Sequence, residues 1–223
     1  MGLSARNPAR SYLCTMRILV VSATQAEAAP LQQLLTEHPV GHDVQYLVTG
    51  IGMTATAYAL TRYLLTLPVD LALNIGLAGS FRRDLEPGAS VWVKEDRFSD
   101  LGAEDGETFL GLRELGFTDP VNVLPYGLDR ISLPAGIPGA VGATVNTVHG
   151  KETTIQEFRN REQADIETME GAAFYYVCER EKVASLQLRG ISNYVERRNR
   201  ANWKIAEALT SLSRAAHYFI RKL

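Results

Sequence analysis

Cysteine is scarce. The 223-residue chain has only Cys14 and Cys178, without a C-x-x-C spacing, which excludes a disulfide framework or a thiolate zinc site within one chain. The four histidines, His38, His42, His149 and His217, form no H-E-x-x-H or H-x-H pattern, so no metal is expected. Charge of one sign is missing as well. Lys and Arg number 23 against 25 Asp and Glu, for a net charge of −2, and such a balance gives no basic footprint for nucleic acid. Long apolar runs are absent, and Met1 to Thr15 is polar, so neither a signal peptide nor a membrane anchor is expected. The chain also has no G-x-G-x-x-G and no G-x-x-x-x-G-K-[ST], which removes the best evidence for dinucleotide or nucleoside triphosphate binding. Small molecules are the expected partners, in the reducing cytoplasm, with no cofactor.

What is present is the composition of an ordinary globular protein, 46% hydrophobic and 22% charged, with enough length for one sizeable core. Residues 1–15 read as a flexible N-terminal tail, with Met16 as an alternative start, and residues 16–223 as a single domain. Arg17 to Val21 is a short, β-branched apolar run suited to a strand buried on both faces. A helix from about Ala28 to Glu37 follows, then a strand Val44 to Val48, and Gly50-Ile51-Gly52 opens a helix reaching about Leu67. Strands are expected at Leu71 to Ile75, running into the turn Gly76-Leu-Ala-Gly79, and at Ser90 to Lys94.

Asp96 to Pro138 is rich in Gly, Pro and acidic residues and reads as an excursion from the core, with one short helix at Glu107 to Leu115. Strands and helices then alternate: a strand Val141 to Val148, a helix Glu152 to Arg161, a strand Ile166 to Met169 and a helix Gly171 to Glu181. A strand Ser185 to Ile191 and a helix from about Asn202 to Arg221 end the chain. This alternation predicts an α/β fold with a mixed, largely parallel sheet.

Ligands of open α/β sheets bind beyond the carboxyl ends of the strands, so the polar residues that follow strands are the candidates. Glu27 has two readings. Thr24-Gln-Ala-Glu27 matches a capping box, which would make it a surface carboxylate. Pro30, tolerated best in a first turn, instead argues for a helix starting near Glu27, which would place that carboxylate at the crevice. Glu170 precedes a helix and could cap its dipole or accept from sugar hydroxyls. Asn193 suits a turn but is also delivered to the crevice by its strand. Arg189 lies inside that strand, where a buried guanidinium calls for a carboxylate partner. Asp96, Asp100, Glu104 and Asp105 read as a solvated acidic loop, and Phe174, Tyr175, Tyr176 and Cys178 as a packed helix face.

The order and spacing of Met16-Arg-Ile-Leu-Val-Val with Glu27, Gly50-Ile-Gly-Met53, Asn74-Ile-Gly-Leu-Ala-Gly79, Met169-Glu-Gly-Ala172 and Arg189-Gly-Ile-Ser-Asn193 resemble the nucleoside phosphorylase and nucleosidase superfamily, over nearly the whole chain from Met16. Ser99-Asp-Leu-Gly-Ala-Glu-Asp-Gly106, Ala143-Thr-Val-Asn-Thr-Val-His-Gly150 and Ile191-Ser-Asn-Tyr-Val195 are most similar to its futalosine-cleaving branch, which releases hypoxanthine in an alternative menaquinone route. The nearest competitors, methylthioadenosine/S-adenosylhomocysteine nucleosidases, carry Asp at the position of Asn193 and a hydroxyl residue at that of Leu77.

The resemblance implies a three-layer α/β/α fold, a nucleoside substrate, a homodimer and specific roles. Glu27 would be the general base for water, oriented by Arg189. Glu170 would bind a ribose hydroxyl, with Met169 under the sugar. Ala78, Gly79, Val148, His149 and Ser192 would line the substrate site. Asn193 would read the base, because one amide matches N7–H and O6 of a departing 6-oxopurine. A cation, among Arg113, Arg197, Arg198 and Arg200, would meet the aromatic carboxylate of the 5′ tail. An adenine-specific nucleosidase, a phosphorylase and a non-catalytic nucleoside binder are the alternatives.

Overall fold

The computed structural model describes residues 15–118, 121–133 and 136–223. Apart from Thr15, the tail expected at residues 1–15 lies outside them, as does Cys14. The first apolar run forms strand β1 (Arg17–Ser22), followed by helix α1 (Gln25–Glu37), strand β2 (Asp43–Val48), helix α2 (Met53–Leu64), and strands β3 (Leu71–Ser80) and β4 (Ser90–Phe98). A hairpin of β5 (Gly102–Asp105) and β6 (Thr108–Gly111) comes next, then β7 (Asn122–Val123) and β8 (Gly139–Thr144). Helix α3 (Glu152–Arg161), strand β9 (Ile166–Thr168), helix α4 (Gly171–Glu181), strand β10 (Ala184–Tyr194) and helix α5 (Ile205–Lys222) complete the order.

Parallel pairings join β2 to β1, β1 to β3, β3 to β10, β4 to β8 and β8 to β9. Antiparallel pairings join β10 to β4, β3 to β9 and β4 to β7. Because β10 bonds to both β3 and β4, and β9 to both β3 and β8, five strands close on themselves while β1 and β2 extend the sheet outward. The expected sheet is therefore mixed and largely parallel, but it curls instead of staying open.

Two cores explain the layers. Ile18, Val20, Leu71, Leu73, Ile75, Leu186 and Leu188 face α1 and α5, where Leu31, Leu212, Phe219 and Ile220 cover them. The opposite face, with Leu19, Val21, Ala72, Val91, Val93 and Ile191, packs on α2 and α4 through Leu60, Phe174, Tyr175 and Cys178. Strands buried on both faces read as continuous apolar runs, as β1 and β3 do. Of the expected packed face, Phe174, Tyr175 and Cys178 are buried, while Tyr176 is half-buried against the same core.

Four local expectations are corrected. Helix α1 starts at Gln25 and not near Ala28: Thr24 is the N-cap of a complete capping box with Glu27, and Pro30 sits inside the helix. The segment Gly76 to Gly79 continues β3 to Ser80 instead of turning. Glu107 to Leu115 forms no helix. Gly106, at φ +61°, makes the tight connection between β5 and β6, because a two-residue hairpin loop favours glycine at positive φ. Asp96 belongs to no solvated loop but is wholly buried in β4.

Candidate active site

Glu27 closes the capping box and also reaches the cavity, although the helix does not begin at it and the residue is half-buried. Its Oε2 accepts from Thr24 N at 3.0 Å and Thr24 Oγ1 at 2.8 Å, closing the cap, while Oε1 accepts from Leu77 N in β3 at 3.0 Å. The cap thus delivers the carboxylate to the strand end. Three donors, two from its own turn and one from the sheet, fix its orientation.

Opposite stands Glu170, only 7% exposed, at the N-cap of α4. Its Oε1 accepts from Gly52 N at 2.9 Å. Gly52 has φ +92°, a left-handed conformation that glycine takes without a Cβ clash, and it turns this N–H toward the acid. Burial pushes the Glu170 carboxyl above its usual range, opposed by the Arg189 charge and the Gly52 N–H, with the Glu27 charge adding to the rise.

Arg189 lies beneath the site, 2% exposed. It makes no ion pair among the described residues. The expected carboxylate partner is replaced by two amide oxygens: Nη2 donates to Asn74 Oδ1 and, at 2.9 Å, to Gln187 Oε1. Nε is buried without a partner. Gln187 Nε2 donates in turn to Asp96 Oδ2 at 3.2 Å, so the buried carboxylate reaches Arg189 through an amide relay. Burial pushes Asp96 up to about 6 despite bonds from Thr144, Arg97 and Gln187 and the Arg189 charge. Arg189 Nη1 and Glu27 Oε1 both occupy the space where Gly76 lacks a Cβ; a methyl there would overlap the first and come 3.0 Å from the second.

A third wall carries Asn193 on β10. Its Oδ1 accepts from Ser192 Oγ at 2.7 Å and its Nδ2 donates to Tyr194 O at 2.9 Å, which sets the amide's orientation and leaves one N–H and one lone pair unused. On the far side of β3, on β9, is Glu167, 4% exposed, which accepts from His149 N at 3.0 Å and faces His149 Nδ1. The His149 ring rests against Phe158 of α3, centroids 4.6 Å apart.

These walls enclose one cavity of about 560 Å³, within the range of small-molecule sites. Of the residues expected there, it brings together Glu27, Ala78, Gly79, Val148, His149, Met169, Glu170, Ser192 and Asn193. Arg189 does not line it and sits below. Among the cations proposed for a tail, Arg198 and Arg200 line the cavity beside Trp203, whereas Arg113 and Arg197 do not. Both guanidinium carbons lie over the Trp203 ring, at 5.0 and 5.7 Å from its centroid. Glu167, Asn74 and Gln187 were not expected. The short strand Ile166-Glu167-Thr168, flanked by Asp165, carries no local signal that marks Glu167.

A model of the phosphorylase superfamily matches residues 17–223. A futalosine hydrolase of Thermus thermophilus is 33% identical over 207 residues, covering 88% of this chain and 92% of the relative. Among solved structures, a Streptococcus pneumoniae MTA/SAH nucleosidase in complex with 8-aminoadenine superposes with a TM-score of 0.79 at 19% identity, over 93% of this chain and 100% of the other. The futalosine hydrolase of Helicobacter pylori does so at 0.77 and 16%, over 94% and 99%. The two structures differ in activity, so at these identities the likeness speaks for the fold. No helix among the described residues is long and apolar enough to cross a membrane.

Proposed function

From the premise that this chain belongs to the phosphorylase superfamily, we propose that it hydrolyses the N-glycosidic bond of futalosine, releasing hypoxanthine. The observation that carries this reading is the convergence of Glu27, Glu170 and Asn193 on one cavity in a chain 33% identical to a futalosine hydrolase over most of both lengths. Cleavage breaks the C1′–N9 bond, its electron pair leaves with the purine, and the sugar becomes oxocarbenium-like. Stabilising that charge and placing water against it are the tasks of the site.

Glu27, held by three donors, takes a proton from the water that adds to C1′. Glu170 accepts from a ribose hydroxyl with the oxygen that Gly52 leaves free, and Met169 packs beneath the sugar. Arg189, buried next to Glu27 without an ion pair, supplies positive charge that keeps the base oriented. Asn193 holds N7–H and O6 of the departing base; an amide has no proton to give, so the N7 proton comes from solvent. Ala78, Gly79, Val148, His149 and Ser192 form the remaining walls.

Arg198 and Arg200 around Trp203 fit the 5′ tail, an aromatic ring ending in a carboxylate, since guanidinium pairs with carboxylate and both sit against an aromatic face. A homodimer belongs to the same reading, supported by Ile51, which lines the cavity, and Tyr58 on α2, large apolar side chains 64% and 65% exposed; sedimentation tests it. Cytoplasmic placement and service to an alternative menaquinone route also belong to it.

Chromatographic base release from futalosine, inosine, methylthioadenosine and S-adenosylhomocysteine in phosphate-free buffer tests the reaction. Hypoxanthine from futalosine is the expected product. Adenine release, or release that requires phosphate, overturns the proposal.

A further inference from the structure

Glu167 is a buried acid in the cavity to which the steps above give no role. In the sheet, Gly79 pairs with Glu167 on one flank and with Asn193 on the other. Residues opposite one another in a ladder face the same side. Two strand spacings of about 4.8 Å therefore set the backbones of Glu167 and Asn193 about 10 Å apart, with the bare Gly79 between them. A Cβ on Gly79 would come 2.9 Å from Val195 Cγ2 and 3.3 Å from Asn193 Nδ2, so the floor between the two side chains is flat because it is glycine. All three residues line the cavity. A flat bicyclic ring laid over Gly79 meets Asn193 with one edge and Glu167 with the other.

The chemistry of that second edge is set by His149. Its backbone N–H and its Nδ1 both face the Glu167 carboxylate, and Phe158 backs the ring. Each carboxylate oxygen has a further lone-pair site, and an ionised carboxylate can only accept. The His149 N–H, which would otherwise offer the cavity a donor, is consumed by an acceptor. A 6-oxopurine carries N1–H, a donor, beside O6. A 6-aminopurine carries at N1 a lone pair that a carboxylate repels.

We propose that Glu167, held by His149, is a specificity-determining residue that accepts N1–H of a 6-oxopurine and disfavours a 6-aminopurine. This rests on reading the cavity as a purine nucleoside site, and it assigns base selection to two residues on either side of Gly79 instead of to Asn193 alone.

Calorimetric binding of the free bases hypoxanthine, adenine and 1-methylhypoxanthine tests it on the unmodified protein and on Glu167→Gln. Hypoxanthine is expected to bind about tenfold or more tighter than either other base, as expected when a charged acceptor loses its donor. Glu167→Gln should reduce that advantage by about tenfold. Equal binding of hypoxanthine and 1-methylhypoxanthine to the unmodified protein overturns the proposal without need of a variant. So does an undiminished hypoxanthine preference in a Glu167→Gln protein whose circular dichroism is unchanged. Failure of the hydrolase reading has a separate signature, the absence of hypoxanthine release from futalosine whichever bases bind.

Discussion

The two ends of the cavity are built differently. At the sugar end, Glu27 is fixed by Thr24, three residues away in its own helix cap, and by one amide of the neighbouring strand. At the base end, Glu167, His149 and Asn193 come from separate parts of the chain and meet only through tertiary pairing with Gly79 and with each other. The general base is thus held mainly by its own helix cap, with one long-range bond from Leu77, whereas the end assigned to choosing the base rests on long-range structure throughout. Beneath both runs the relay Asp96–Gln187–Arg189–Asn74.

The sharpest way to separate the ends is Glu27→Gln. A general base contributes about 10² to 10⁴ in rate, so single-turnover hypoxanthine release should fall by about 10³-fold while affinity for free hypoxanthine stays unchanged. Because Gln also serves in a capping box, the melting temperature should move little. A lost affinity for the base would merge the two ends into one unit.

The relay is tested by pH. Asp96 is raised from 3.8 to about 6 in the folded protein, so between those values the native state holds a proton that the unfolded chain has released. Stability therefore falls as pH rises from about 4 to 6 and is level above. Two units at 1.36 kcal/mol each make the span ~3 kcal/mol. Denaturant unfolding of the wild type relative to Asp96→Asn, which cannot ionise, should show the difference across that window. Parallel profiles would show that Asp96 is not the buried acid of the relay.

Gly76→Ala strikes the sugar end through space. The added methyl must displace Arg189 Nη1 and crowd Glu27 Oε1, and misplacement by about 1 Å costs about 10²-fold. Turnover should fall by that order, with hypoxanthine affinity again preserved. The smallest effect is expected at the base end. Asn193→Asp offers a group that can carry a proton toward N7, so the preference for 6-oxopurine over 6-aminopurine nucleosides should narrow by about tenfold, one hydrogen bond's worth, as read from the ratio of kcat/KM values.

The same contrast governs what was readable in the sequence. The capping box, the Gly52 turn and the doubly buried strands β1 and β3 declare themselves within a few residues, and their order carried the superfamily resemblance. Pro30 misled because the helix starts at Gln25, behind the Thr24–Glu27 cap, and carries the proline inside it despite the backbone bond a proline forgoes there. The β5–β6 hairpin was missed because Asp105-Gly106 lay beside a stretch with helical spacing. Arg189 was expected to meet a carboxylate, but its partners are the amide oxygens of Gln187 and of Asn74, the latter 115 residues away, which local pattern does not reveal. Asp96 looked solvated because it heads an acidic stretch, whereas the closure of five strands puts it inside. Glu167 and His149, 18 residues apart, give no periodic signal at all.

The most direct measurement is the ratio of kcat/KM for futalosine to that for its 6-amino counterpart, which carries the same ribose and 5′ tail and differs only at the base edge facing Asn193 and Glu167. A ratio of about 10² or more is predicted, from two hydrogen-bonding groups each worth about tenfold. A ratio near one would contradict the assignment of base selection to this end of the cavity.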